Sequence, residues 1–230
     1  VAILNRRVVR YSARLADPSI VRYNAQREVA MLCDPQLSGP VMQEISQYLA
    51  DTLRQLRTDR GWSLDRAATE CGVSKAMLGQ IERGESSPTV ATLWKIASGF
   101  GTSLSSFIEP PPAEQRGVTL RSADTLRQRP AADAMLIAPL FPFDARYGFE
   151  LFELTLLPGY ERLSEPHSEG VVEHVIVVRG VMELLVRGVW QQLKEGEAVR
   201  FAADQPHGYR NAGTEPAVFH DLIYYPPQSR

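Results

Sequence analysis

Between residues 45 and 108 apolar side chains return every three or four positions, and beyond residue 117 they fall into short alternating runs. The chain therefore predicts a helical half followed by a strand half. In the stretch GWSLDRAATECGVSKAMLGQIERGESSPTVATLWKIASGFGTSLSSFI, residues 61–108, two short helices are joined by a Gly-centred turn and followed by a third. Ser63 is placed to cap the first helix, because its hydroxyl can accept from the orphan amides of the opening turn, and Asp65 suits the positive helix end. Gly72 needs no Cβ and can take the left-handed conformation that ends a helix, while Ser74 caps the next one. That second helix is predicted from Lys75 to about Arg83. Its spacing puts Leu78 and Ile81 on a buried face with Ala67 and Val73, and leaves Lys75, Ala76, Met77, Gln80 and Arg83 facing out.

Glu109-Pro110-Pro111-Pro112 ends the helical half, since consecutive prolines lack amide donors and favour extended backbone. The runs VTLRS, AMLIAPLF, GFELFELTLL, EHVIVVRG, VMELLVRG, EAVRFAAD and AVFHDLIYY then read as strands. Pro158-Gly159, Arg179-Gly180 and Glu195-Gly196 mark turns between them. In one run Phe149, Leu151, Glu153 and Thr155 alternate with Glu150, Phe152, Leu154 and Leu156. Many short strands at close intervals predict an antiparallel sandwich or barrel.

The length of 230 residues suits two domains with their own cores. Boundaries are expected at 1–41 for a poorly ordered N-terminal extension, 42–109 for the helical domain, 110–116 for a proline-rich linker and 117–228 for the strand domain. No apolar run reaches membrane-spanning length, no signal-peptide order appears, and Cys33 and Cys71 form no CxxC pair; a cytoplasmic protein is expected. Charge is uneven: residues 1–40 carry +3, residues 41–110 carry −1, and residues 111–230 carry −4. A near-neutral helical domain gains less from counterion release than a strongly basic one, so specific contacts and dimerisation would have to supply more of any affinity for DNA. Arg6, Arg7, Arg10 and Arg14 would suit a basic arm or simply a leader, and an overlong start is compatible with Val1 in first place.

The segment from Ile45 to Glu109 resembles the Cro/CI-type, or XRE, helix-turn-helix regulators, with GVSKAMLGQIERG as its centre and Leu93, Ile96, Ala97 and Phe100 closing the core. The resemblance implies an all-α, lambda-repressor-like bundle. It further implies that Lys75, Ala76 and Gln80, with Met77 on the same face, meet base edges in the major groove. Ser74, Arg83, Ser86, Ser87 and Thr89 match positions that touch phosphate.

HSEGVVEHVIVVRG (167–180) and GEAVRFAADQPHGYRN (196–211) resemble the two motifs of the cupin superfamily, an all-β double-stranded β-helix or jelly roll. Carried over, the family's metal-binding positions fall on His167, Glu173 and His207, with Glu169 standing where the family has a second His. Two imidazoles and a carboxylate suit one divalent transition metal, and an added carboxylate favours harder ions such as Mn(II). The same imidazoles would equally line an empty pocket or one for an organic ligand. His174 follows Glu173 directly and so points to the opposite face; His220 matches no ligand position. Glu161 and Glu165 are expected on the surface, and Tyr160, Arg162, Tyr209 and Tyr224 at the barrel mouth, with core packing the alternative for the three aromatic residues.

The two resemblances in this order are similar to a group of bacterial regulators in which an XRE helix-turn-helix precedes one cupin sensor. The implied protein is a non-enzymatic homodimer on double-stranded DNA, at an inverted-repeat operator, responding to a small-molecule effector. Some chains of this layout are metal-dependent cupin enzymes of the oxygenase, epoxidase or isomerase type, in which His167, Glu173 and His207 would hold iron; that alternative stays open at the level of sequence.

Overall fold

A computed structural model describes residues 40–111, 118–127 and 133–227. Most of the N-terminal extension expected over 1–41, Cys33 included, and residues 112–117 of the linker region lie outside the described residues. The helical pattern resolves into α1 (Pro40–Asp59), α2 (Leu64–Cys71), α3 (Lys75–Glu82), α4 (Val90–Gly99) and a 3-10 turn, Leu104–Phe107. Each predicted cap forms: Ser63 Oγ accepts from the Arg66 amide at 3.1 Å and Ser74 Oγ from the Met77 amide at 3.2 Å. Gly72 ends α2 in the left-handed region, at φ 61°. Ala67, Leu78 and Ile81 are each 1% exposed, and Val73 is half-buried against them. Burial of Leu78 or Ile81 contributes about 1.5–3 kcal/mol each. α3 stops at Glu82, and Arg83 is its C-cap.

The strand half folds as two antiparallel sheets. One has the order β1 (Met135–Asp144), β2 (Phe149–Leu156), β9 (Ala217–Tyr224), β4 (Val172–Arg179), β7 (Ala198–Ala202); the other has β3 (Glu161–Ser164), β8 (His207–Arg210), β5 (Val181–Val186), β6 (Val189–Lys194). VTLRS, expected as a strand, is corrected. Residues 118–122 join neither sheet and lead into a single helical turn, α5 (Ala123–Leu126), with Val118 99% and Leu120 94% exposed. β3, β6 and β8 add strands that the pattern of apolar positions does not reveal.

Gln43–Arg230 form one compact unit, and the apolar core runs from the helices into the sheets. Trp94 of α4 meets Phe152 of β2 edge-on, with ring centroids 6.5 Å apart. The Leu104 and Ser105 amides, at the start of the 3-10 turn, donate to the Glu150 carboxylate at 3.3 and 3.0 Å. Tyr225 donates to the same carboxylate, and the Val90 amide donates to Asp133 at 3.0 Å.

Candidate recognition helix and barrel site

α3 presents the row that its spacing predicts. Lys75, Ala76, Met77, Gln80 and Arg83 are exposed, whereas Leu78 and Ile81 pack inward. Lys75 Nζ lies 2.7 Å from Asp65, and Arg83 is paired with Glu85 at 2.7 Å, all with side chains more than half exposed. Exposed pairs of this kind are weak, so neither cation is held firmly by its carboxylate. Ser74 spends its hydroxyl on the α3 cap; Thr89 caps α4, accepting from the Thr92 amide at 3.2 Å. Ser86 is half-buried, and Ser87 is exposed with its hydroxyl 3.3 Å from that of Ser46. Sequence reasoning missed what holds α3 in place: Arg57 of α1 grips Glu82 through two hydrogen bonds of 2.6 and 2.8 Å, with Glu82 only 5% exposed.

The second site lies between the two sheets. Register determines its members, because alternate residues of a strand share a face. Arg162 and Ser164 of β3 pair with Tyr209 and His207 of β8. Glu173 of β4 pairs with Ile223 of β9, two residues from Asp221. All of these but Ile223 are polar, and every one is buried. His167 arrives from the loop after β3 and is half-buried.

His167, Glu173 and His207 come together, with one ligand atom from each within 4.8 Å of the others. His167 Nε2 is 2.8 Å from Glu173 Oε1, and His207 Nε2 is 3.6 Å from the same oxygen. Tyr209 donates its phenol hydrogen to Glu173 Oε2. Burial opposes charge on Glu173, yet the hydrogen bond from His167 and the two imidazoles outweigh it and hold the carboxyl down at about 2. Burial pushes His207 below its ordinary range, against the pull of Glu173, and pushes Asp221 well above the usual carboxylate range.

Glu169 stands apart from this group, exposed on the turn before β4. Its side chain is two residues from His167 in a loop, where strand alternation does not apply. His174 lies on the opposite face, and His220 sits beside Glu153 at 3.4 Å. Asn211 organises the chain after β8: its amide donates to the Leu156 and Glu215 carbonyls at 2.9 and 2.8 Å. Of the four candidates for the mouth, Arg162 and Tyr209 are interior, Tyr160 is half-buried and Tyr224 is 37% exposed.

Trp94 is the residue sequence reasoning passed over. From α4 it reaches the site, its ring 4.7 Å from that of His167 and 5.5 Å from the Arg162 guanidinium. A cavity of about 870 Å³ opens here, lined by Trp94, Ser98 and Thr102 from the helical half and by His167, Tyr224 and Tyr225 from the barrel. Its one sequence signal is an aromatic in the middle of a core helix, which on its own indicates packing.

Comparison with known proteins follows the same division. The helix-turn-helix family HTH_3 matches residues 53–107 and the cupin-domain family Cupin_2 matches residues 152–223. The HTH-type transcriptional regulator SutR of Escherichia coli K12 is 51% identical over 185 residues, covering 80% of this chain and 99% of the relative. The HTH-type transcriptional regulator PuuR of the same organism is 26% identical over 160 residues, covering 69% of this chain and 85% of its own length. A crystal structure of an HTH_3 family transcriptional regulator from Vibrio cholerae shares 46% identity, covers 80% of this chain and 98% of its own, and superposes with a TM-score of 0.69. Among the described residues no helix is long and apolar enough to cross a membrane. With both domain families in this order and so close a relative matched almost end to end, the chain belongs to the XRE-type HTH transcriptional regulators that carry a C-terminal cupin domain.

Proposed function

We propose that this regulator binds an inverted-repeat operator as a homodimer, each α3 entering one major groove, and that its cupin domain senses a small-molecule effector rather than catalysing a reaction. The observation that carries the DNA reading is the exposed row Lys75, Ala76, Met77, Gln80 and Arg83 above the buried Leu78 and Ile81. Gln80 suits a bidentate contact to adenine, Lys75 a guanine edge and Ala76 a thymine methyl, while Ser74, Arg83, Ser86, Ser87 and Thr89 lie along the turns that would flank phosphate. One such helix covers only a few base pairs, which favours a dimer on two half-sites about one helical turn apart. Selection of bound fragments should return an inverted repeat; recovery of no preferred sequence at moderate salt would refute the proposal. Gln80→Ala should cost about 1–3 kcal/mol at a single base position, and Arg83→Ala should weaken all sequences alike.

The barrel residues fit one divalent transition metal. His207 Nδ1 lies 2.9 Å from the Gln205 carbonyl, which can only accept, so Nδ1 carries the hydrogen and Nε2 keeps its lone pair. That Nε2 is buried and has no hydrogen-bond partner. His167 Nε2 and Glu173 Oε1 would complete the set, the hydrogen between them leaving as metal enters. Such a two-His, one-carboxylate set suits Fe(II) or Mn(II), and a bound ion would satisfy the charge of Glu173 and tie β4, β8 and the His167 loop together. Metal-stripped protein reloaded with Mn(II) should bind about one ion per chain, and His167→Ala or His207→Ala should abolish stoichiometric uptake. Full uptake by both variants rules these ligands out.

A further inference from the structure

Buried polar atoms in folded proteins nearly always have partners, so a concentration of unpaired ones marks a place with an unmet role. Four face the barrel interior: Arg162 Nε, Ser164 Oγ, His207 Nε2 and Asp221 Oδ1. A metal accounts for His207 alone. Arg162 and Ser164 are alternate residues of β3, opposite Tyr209 and His207, so their unpaired atoms lie on one wall beside the imidazoles.

Arg162 is the more informative of the two. Its guanidinium is charged at any accessible pH and only 7% exposed; the acidic groups that act on it are Glu173 and Asp221, yet its Nε has no hydrogen-bond partner. Glu173 is committed elsewhere, Oε1 to His167 and Oε2 to Tyr209. The Trp94 ring lies 5.5 Å from the guanidinium, a weaker partner than a carboxylate, and the Tyr160 phenol lies against it as well. A buried guanidinium fork with an unused donor, beside a hydroxyl with none of its bonds made, is a receptor for a planar anion.

We propose that the barrel interior binds a small organic acid, its carboxylate held by Arg162 and Ser164 and its body covered by Trp94. This names the ligand class for the sensing role proposed above and rests on that role. The route in is at hand, because Trp94 and His167, which contact Arg162 and His207, also line the 870 Å³ cavity. The occupant would touch α4 directly, so the helical half contributes a wall of the sensor.

Calorimetric titration of the full-length protein tests the assignment. Pyruvate, malate and 2-oxoglutarate serve as probes, each against its uncharged amide, with sulfate and phosphate as an inorganic arm. At least one acid should bind about tenfold or more tightly than its amide; Arg162→Gln should remove that preference, and Arg162→Lys should retain part of it. Equal binding of acid and amide overturns the proposal, as does unchanged acid binding in Arg162→Gln. So does the absence of binding by every acid in protein that still holds its operator, and so does binding of the inorganic ions alone. If Arg162→Gln fails to fold, the acid-to-amide ratio in wild-type and Arg162→Lys protein decides. Loss of operator binding in the unaltered chain would instead count against the regulator reading.

Discussion

Glu173 and His207 respond to their surroundings in opposite ways, and acid stability follows from both. His207 is kept neutral by burial, below its ordinary 6.5; the unfolded chain takes up that proton more readily, so stability starts to fall as the pH drops below 6.5. Glu173 has the depressed value of a carboxylate among imidazoles, about 2 against an ordinary 4.5. Its contribution is complete above 4.5 and is lost as the pH falls towards 2. Metal-free protein should therefore lose melting temperature in two stages on acidification. Glu173→Gln should flatten the lower stage and leave the upper one; an unchanged lower stage in that variant would show that other carboxylates dominate it.

Among the elements, α2 and α4 cross in close contact at Gly99. A Cβ added at Gly99 would lie 2.6 Å from both Cys71 Cα and the Glu70 carbonyl oxygen, which are backbone atoms that cannot swing away. Gly99→Ala should therefore destabilise the fold by about 1–3 kcal/mol, read as a lower urea midpoint with unchanged slope. A neutral outcome would mean that the two helices slide apart freely. The caps at Ser63, Gly72 and Ser74 were legible in the sequence, because hydroxyls and a glycine at helix ends act through neighbours close in the chain. β3, β6 and β8 were not legible. β3 and β8 are four residues long, too short to establish a period, and β6 carries Gln191 and Gln192 in mid-strand. VTLRS misled for the converse reason, since strand propensity without a partner strand forms nothing. The resemblance named His167, Glu173 and His207, which the fold brings together. Nothing local marked Arg162 as buried or Trp94 as part of the site, because both depend on pairings between distant segments.

At the scale of the whole molecule, the decisive group is Glu150, in a strand whose alternation alone would give no reason to single it out. Its carboxylate is fully buried, accepting from the Leu104 and Ser105 amides of the helical half and from Tyr225 of the barrel. Burial pushes its pKa up while those donors pull it down, and burial prevails. The group thus joins the half that carries α3 to the half that carries the polar interior. With Trp94 packed on Phe152 beside it, the two halves should unfold together, in a single calorimetric transition whose van't Hoff and calorimetric enthalpies agree. Glu150→Ala leaves two amides and a phenol without an acceptor, at about 1–3 kcal/mol for each buried group that stays unsatisfied. The variant should melt in two steps, because the barrel keeps its own ladders while the helices lose their main polar attachment. A single transition, merely shifted downward, would show instead that apolar contact through Trp94 is enough to make the halves one cooperative unit. In that case a signal from the barrel would reach α3 through packing alone.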